Sequence, residues 1–586
     1  MTNIVGISAL FHDSACCLLK DGVLIAAAEE ERFSRRKHDP DMPKRAFNYC
    51  LAAGAITIAD VHCVAFYEQP SRKLARQLWT MLPDFTADSK VLSRLDAARP
   101  AREIREVLGF EGPIEFVEHH HAHAASSFFF SGFSDAAILT VDGVGEWATT
   151  TYGAGHDNEV LIFETVDFPD SLGLLYSTIT NYLGFSVNDA EYKIMGAAAY
   201  GLPKYQKQIR TMVQSHAAGQ YSLDLKYFDF RSLDRMYSED LPELFGVPPR
   251  NRGTEVTQFH KDLARSIQFV LEEILLEKAE YLHKTTGSEN LCLAGGVALN
   301  CVANSRILRE GPFRKLFVQP AASDAGASLG AAAIVARRSN GRHLKPAALN
   351  HAYLGPQFGS DEIISLLQAM GLKAMDCRGK EPDLIAAVVH QLGQGKVVGW
   401  FHGRMEFGPR ALGARSILAD PRIDGMRDKI NAQVKRRESF RPFAPAVLET
   451  RAHEHFDLDH PSPFMTETCR VTSRLHLPAI THVDGSARVQ TVDAESNPRF
   501  ASLLNGFERR TGCPILLNTS FNLSDEPIVC SPLDAIVCFI RSELDLLVLE
   551  DFIIDRSALG TAAQALLHDA RVADHSAVRH STYTLF

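Results

Sequence analysis

A plan that occurs twice limits the folds open to this chain: an apolar strand, a sharp polar turn, then a hairpin. Asn3 to Ala9 is apolar, Phe11-His12-Asp13-Ser14 interrupts it, and Ala15 to Leu19 resumes it before Asp21-Gly22 turns the chain into Val23 to Ala28. Asp-Gly between two apolar runs signals a hairpin, because the favoured two-residue turn needs positive φ at both positions. Further on, Ala136 to Val141 reads as a strand and Asp142-Gly143-Val144-Gly145 as a tight turn. Thr149 to Tyr152 then leads to Gly153 and a further strand around Val160. The two stretches share negligible identity, yet the repeated plan predicts an internally duplicated α/β domain.

At 586 residues the chain exceeds one hydrophobic core. Helices are expected over Pro43 to Ala53 and Arg72 to Leu82, the second stopped by Pro83. Asp262 to His283 has strong helical spacing, and Leu291 to Ala294 is a buried strand ending at Gly295-Gly296. The stretch from Lys204 to Arg252 lacks periodicity and reads as a surface excursion. A linker composition at Arg337-Arg338-Ser339-Asn340-Gly341-Arg342, followed by Pro346, sets a boundary. Domains are therefore expected over 1–345 and 353–556, with a helical tail over 557–586 that is rich in Ala and His.

A net charge of -10 argues against nucleic acid as the partner, because phosphate backbones require a basic surface. Eleven scattered cysteines, with no CxxC, fit a reducing compartment and disfavour a cysteine-built zinc site. Neither a signal peptide nor a membrane span is recognisable, so a cytoplasmic protein is expected.

Chemistry concentrates in four places. In His119-His120-His121-Ala122-His123, residues four apart share a helix face, so His119 and His123 can meet one ion. An isolated HxxxH is more often a group of capping histidines, and the glutamate of zinc proteases is replaced here by His120. Asp142 ends a strand, and Asp324 lies among small residues; two His and two Asp form a donor set suited to Fe(II), Zn or Mn. Gly295-Gly296, followed by Val297 to Asn300, forms a strand–glycine–helix turn that seats a phosphate or merely reverses the chain. Between Arg404 and Arg441 stand ten Lys or Arg against five Asp or Glu, interleaved with Gly, Pro and apolar residues. Cations so placed line an anionic site more readily than a solvated helix face. Arg488, Arg499 and Asn518-Thr519-Ser520-Phe521-Asn522 are candidates to complete it. Finally, His12 beside Asp13 stands at a loop apex, placed either to accept a hydroxyl proton or to cap the turn.

Together these stretches resemble the O-carbamoyltransferases of the nodulation (NodU), cephamycin and tobramycin type. The resemblance rests on Phe11 to Ser14, Glu29-Glu30-Glu31-Arg32-Phe33, His119 to Ser126, Val141-Asp142-Gly143 and Lys193-Ile194-Met195-Gly196. It continues through Gly295 to Asn300, Ser323-Asp324, Gly408 to Gly413, Arg441 to Pro445 and Asn518 to Asn522, and spans residues 3 to 555.

The resemblance implies an actin/hexokinase-like (TsaD/Gcp-like) N-terminal domain and a YrdC/TsaC-like α/β C-terminal domain. It also implies that the C-terminal domain forms carbamoyl-adenylate from carbamoyl phosphate and ATP with Mg. The N-terminal domain then transfers the carbamoyl group to a hydroxyl of a small-molecule acceptor, of natural-product, sugar or toxin type. By position, Arg410, Lys435, Arg441, Arg488 and Asn518 would bind carbamoyl phosphate and nucleotide. Gly295, Gly296 and Asn300, with Lys193 nearby, would seat the adenylate, and His12 would take the acceptor's proton. His119, His123, Asp142 and Asp324 would hold the metal, iron or another divalent ion. A homodimer is a possible assembly. The competing readings are a tRNA threonylcarbamoyl-adenosine enzyme, disfavoured by the acidic charge, and an actin-fold kinase, which leaves the basic stretch unexplained.

Overall fold

Asp21 and Gly22 stand at φ 50° and 81°, and the hairpin they close opens a three-stranded meander. The computed structural model describes residues 2–81, 95–232, 235–339, 347–438 and 440–560. Pro83 and most of the expected 557–586 tail lie outside these residues. The chain divides into two units: one comprises the described residues through Glu30 and His38–Leu349, the other Glu31–Lys37 and Asn350 onward.

The first unit contains β1 (Asn3–Ser8), β2 (Ala15–Lys20), β3 (Val23–Glu29), β4 (Cys63–Phe66) and β5 (Ile114–Phe116) in one sheet. A second sheet holds β6 (Asp135–Val141), β7 (Ala148–His156), β8 (Glu159–Asp167), β11 (Asn290–Ala294) and β12 (Lys315–Val318). The orders are 3-2-1-4-5 and 8-7-6-11-12, so the two sheets have one topology. In each, the meander is antiparallel and the last two strands join parallel to its first. This is the expected duplication, carried by backbone pairing with almost no shared sequence.

The repeat extends beyond the strands. After β5 comes the helix His119–Phe128, and after β12 comes the helix Asp324–Ser339. These equivalent helices pack face to face at van der Waals backbone distance: a Cβ on Gly330 would lie 1.8 Å from the Ala122 carbonyl oxygen. The second helix also rests on β1, where a Cβ on Gly6 would lie 2.0 Å from the Ser328 carbonyl oxygen. Its Ala- and Gly-rich sequence is buried from Asp324 to Ala336, and the small side chains permit this approach.

Three local expectations change. Gly153 does not end a strand but lies inside β7 at a register shift, where a Cβ would lie 2.7 Å from the Leu161 carbonyl oxygen. Arg337, Arg338 and Ser339 form the last turn of a helix, not a linker; Arg337 pairs with Glu159 and Arg338 with Glu115. The stretch after Lys204 is ordered by the helix Gln206–Met212, a hairpin of β9 (Val213–Ser215) and β10 (Tyr221–Leu223), and the helix Asp240–Phe245. Tyr and Asp side chains anchor this segment: the Tyr221 hydroxyl lies 2.9 Å from Thr150 Oγ1, and Leu223 N–H donates to Asp170 at 2.7 Å.

The second unit is a mixed α/β sheet in the order 13-22-21-14-15-20-16-19. Its strands are β13 (Met375–Asp376), β14 (Val398–Phe401), β15 (Arg415–Ala419), β16 (Ala444–Leu448), β19 (Gln490–Val492), β20 (Ile515–Ser520), β21 (Leu546–Leu549) and β22 (Phe552–Asp555). A small hairpin of β17 (Cys469–Arg470) and β18 (Ser486–Ala487) stands apart. The helices Glu381–Gly393 and Pro498–Thr511 pack together, burying Leu384, Val388, Phe500 and Leu504 in one core with Trp400. Among the described residues no disulfide forms, and no helix is long and apolar enough to cross a membrane.

The helix crossing yields a test. Gly330→Val should lower stability by about 3 kcal/mol or more through overpacking against backbone that cannot yield. Urea unfolding measures this, and an unchanged midpoint would contradict the close crossing.

Candidate functional site

The repeated topology brings four distant residues together. His119 and His123 lie one turn apart on the helix after β5, Asp142 follows β6, and Asp324 is the first residue of the helix after β12. One ligand atom from each lies within 4.8 Å of all the others. The two Nε2 atoms are 3.1 Å apart, and Asp142 Oδ2 lies 3.1 Å and 3.2 Å from them. Asp324 Oδ1 is 3.7 Å from both. Bonds of about 2.1 Å to one ion separate neighbouring donors by roughly 3.0–3.4 Å, so the arrangement fits a divalent cation held by two nitrogens and two oxygens. All but the half-buried Asp142 are buried.

The electrostatics agree with that fit. Burial pulls His123 down, but hydrogen bonds and charge from Asp142 and Asp324 outweigh it and raise the imidazole to about 9. Burial pushes Asp142 up, but bonds from His119 and His123 hold it well below the usual carboxylate range. The group thus retains positive charge at its centre, as a proton or as a cation. The Nδ1 atoms of His119 and His123 are buried without a hydrogen-bond partner, so no second bond fixes either tautomer.

The outer oxygens of both carboxylates are engaged. Asp142 Oδ1 accepts the Gly296 N–H at 3.0 Å, and Asp324 Oδ2 accepts the Tyr67 hydroxyl at 3.2 Å. Gly296, expected to seat an adenylate, therefore also orients a metal-facing side chain, and a Cβ there would lie 2.9 Å from Asp142 Oδ1. Gly295, at φ 91°, turns over the Val141 carbonyl. Glu146 holds the entry to the histidine helix, accepting the His119 N–H at 3.0 Å and the Gln69 N–H at 2.6 Å. Tyr67 and Glu146 were not picked out in the sequence. Glu146, four residues after Asp142 in the same turn, was the more recognisable.

Asn300 shows a different commitment. Its Oδ1 caps the helix Cys301–Glu310 through the Ala303 N–H at 3.1 Å, and its amide exchanges hydrogen bonds with Gln268. It shapes the glycine loop through that cap. Lys193 lies on the helix Glu191–Ala198, 5.9 Å from the Phe185 ring centroid. His12 occupies the turn after β1, the position equivalent to Asp142 in the other half. Its Nδ1 is 3.2 Å from Asp13 Oδ2, while Asp13 Oδ1 and Asp189 Oδ1 take the two nitrogens of His38 at 2.6 Å and 3.0 Å. Burial lowers His12, but Asp324 and Asp13 raise it on balance to about 9.

In the second unit, the basic residues gather around β20. Asn518 Nδ2 donates to the Ala411 carbonyl at 3.2 Å and to Gln490 Oε1 at 2.8 Å. This ties β20 to the Gly408–Gly413 loop and to β19, two residues from the half-buried Arg488. Lys435 is buried, and its ammonium donates to the Ser520 carbonyl, to Ser520 Oγ at 3.1 Å and to Asn522 Oδ1 at 2.7 Å. Burial, then Arg437 and Arg441, hold Lys435 well below its ordinary range. Arg441 pairs with Glu438 at 3.4 Å, and its carbonyl accepts from Asn431. Arg410 lies half-buried in its loop. Arg499 belongs elsewhere, paired with Glu381 and Asp551.

Glu406, also unanticipated, organises the loop that carries Arg410. A single buried oxygen accepts the N–H groups of Leu412, Ala414 and Arg415 at 2.8, 2.7 and 3.1 Å. The signal was present as a lone acid within Gly403-Arg404-Met405-Glu406-Phe407-Gly408. Beside it, the buried Arg415 guanidinium donates to the carbonyls of His402, Gly403, Ala414 and Pro356, and lies 3.6 Å from the Phe401 ring centroid.

Family comparisons match both units. The model described as "Carbamoyltransferase N-terminus" matches residues 3–333, and "Carbamoyltransferase C-terminus" matches residues 389–556. The chain is 45% identical to an uncharacterized protein of Synechocystis sp., covering 95% of this chain and 97% of that one. It is 40% identical to nodulation protein NolNO of Sinorhizobium fredii, covering 96% of this chain and 83% of that one. It is likewise 40% identical to nodulation protein NolO of Bradyrhizobium diazoefficiens, over 79% of this chain and 84% of that one. Among solved structures, T. kodakarensis HypF aligns at 15% identity over 59% of this chain and 49% of that one, with a TM-score of 0.32. With matches to both of its parts and relatives along nearly its whole length, this chain belongs to the carbamoyltransferase family and is a transferase of the nodulation-protein type.

Proposed function

We propose that the chain forms carbamoyl-adenylate from carbamoyl phosphate and ATP and transfers its carbamoyl group to a hydroxyl of a small-molecule acceptor. The observation that carries this reading is the convergence of His119, His123, Asp142 and Asp324 beside the Gly295–Gly296 loop. A phosphate-seating turn joined by a hydrogen bond to a cation site suits an adenylate better than a free sugar.

Carbamate is a poor electrophile, so the carbamoyl group needs a leaving group. In this scheme water hydrolyses carbamoyl phosphate to carbamate and phosphate, and the carbamate oxygen then displaces pyrophosphate from the α-phosphorus of ATP, whose phosphate charge Mg would balance. Arg410, Lys435, Arg441, Arg488 and Asn518 bind carbamoyl phosphate and nucleotide in this reading, Lys435 from its place against the turn after β20 and Asn518 from within β20 beside the Gly408–Gly413 loop. The acceptor oxygen then attacks the carbamoyl carbon as AMP leaves, and His12, in its neutral form, takes the acceptor's proton. His119, His123, Asp142 and Asp324 would hold a divalent ion, Fe(II) in this reading, whose Lewis-acid charge would stabilise the AMP leaving group.

Incubation with ATP and carbamoyl phosphate, with and without metal, tests the reading. AMP and pyrophosphate should appear only when carbamoyl phosphate is present; ADP formation with a sugar would instead establish a kinase. His119→Ala or Asp324→Ala should reduce carbamoyl transfer more than 100-fold in an acceptor screen with labelled carbamoyl phosphate. Both variants should retain most pyrophosphate release, and equal loss of the two steps would contradict separate sites. Arg441→Ala should slow carbamoyl-phosphate-dependent pyrophosphate release by about 10-fold or more, the effect of losing one charge-assisted contact. An unchanged rate would remove Arg441 from the site.

A further inference from the structure

The two carboxylates of the metal set are each divided between inward and outward bonds. Asp142 turns Oδ2 to the imidazoles and Oδ1 to the Gly296 N–H. Asp324 turns Oδ1 to the imidazoles and Oδ2 to the Tyr67 hydroxyl. The first outward bond is made by backbone, and a side chain at residue 296 would crowd the same oxygen, so that bond cannot be removed cleanly. The second depends on one phenol from the other half of the repeat.

Tyr67 is fixed for that task. It directly follows β4, its N–H donates to the Ile7 carbonyl at 3.1 Å, and it is 1% exposed. Its ring lies 5.2 Å from that of His119 and 5.4 Å from that of Phe66. Two residues on, the Gln69 N–H shares the Glu146 oxygen that also takes the His119 N–H. The short Tyr67–Gln69 segment therefore orients two of the four donors, through Asp324 and through the start of the histidine helix.

We infer that Tyr67 is a positioning residue for the metal centre, holding Asp324 as a ligand through one oxygen by engaging the other. With both aspartates restricted to one oxygen each, the protein supplies four donor atoms. A divalent ion held by these four atoms would have room left for oxygen ligands of the substrate. A carboxylate released by Tyr67 would rotate toward two-oxygen chelation or away from the ion, and either movement alters affinity and the number of open positions. This inference rests on the metal reading of the four residues and names what fixes one of them.

The test uses the full chain, stripped of metal and titrated with Zn(II), and anaerobically with Fe(II), against a chromophoric chelator. Tyr67→Phe retains the ring contacts and removes only the hydroxyl. It should weaken metal binding by about 10- to 100-fold, the usual effect of deleting an outer partner of a ligand. The unfolding midpoint of the metal-free variant should match that of the metal-free parent, which a merely structural tyrosine would not allow. Asp324→Asn should weaken binding alone, and adding Tyr67→Phe to it should cause little further loss, because the hydroxyl acts through that carboxylate. Additive losses would overturn the inference. If the parent binds one ion per chain and Tyr67→Phe binds it within twofold, the role of Tyr67 fails while the metal reading stands. If the parent takes up no ion, the metal reading fails and this inference with it.

Discussion

The distance between two helix backbones governs the candidate centre. Where His119–Phe128 crosses Asp324–Ser339, a methyl group on Gly330 would come within 1.8 Å of the Ala122 carbonyl oxygen. That crossing fixes how far Asp324 stands from the two imidazoles, and the available room is set in tenths of an ångström because cores are close-packed. Three of the four donors come from these two helices. The fourth, Asp142, stands on the turn after β6, whose parallel neighbour β11 delivers Gly296 to its outer oxygen. Fold and site are thus one construction: the strand order that closes the second sheet also joins the glycine loop to the cation site.

Charge in the second unit is handled by a different device. Arg415 is fully buried and stabilised by main-chain carbonyls, with an aromatic face against its guanidinium. Glu406 is its complement, a buried carboxylate bound to main-chain N–H groups. Buried ions usually require a partner of opposite charge or several hydrogen bonds, and here the loop backbone supplies the bonds. Glu406 holds the end of the Gly408–Gly413 turn through the Leu412 N–H, while Arg415 ties the strand that follows it to the carbonyls of His402, Gly403 and Pro356. Lys435 does the same for the Ser520–Asn522 turn. Within the Arg404 to Arg441 stretch, Arg415 and Lys435 are thus bound to the protein's own oxygen atoms.

The sequence disclosed what depends on local pattern. Asp21-Gly22 and the alternation around it revealed the first hairpin, and the apolar run before Asp142 revealed the strand that presents it. HxxxH spacing revealed a shared helix face, because i and i+4 coincide on any helix. Features that depend on a partner far along the chain stayed hidden. Gly153 looks like a strand end until β8 lies beside it, and Arg337-Arg338-Ser339 looks like a linker until Glu159 and Glu115 face it. The bonds between the Asn300 and Gln268 amides join residues 32 apart and likewise left no local signal. Tyr67 gave no signal, since its hydroxyl meets Asp324 across 257 residues of chain.

Duplication also explains why the centre is lopsided. Equivalent turns follow β1 and β6, yet one carries His12-Asp13 and the other Asp142-Gly143. Equivalent helices follow β5 and β12, yet one contributes two imidazoles and the other one carboxylate. A symmetric pair of turns and helices would offer matching donors and no distinction between a cation and the group that reacts beside it. Divergence at these four places breaks that degeneracy. One turn supplies a carboxylate to the His119–His123–Asp324 cluster, and the other supplies an imidazole that burial lowers but Asp324 and Asp13 raise on balance to about 9. Asp324 thus bears on both turns and on both helices, through its approach to His119 and His123 and through the charge by which it raises His12.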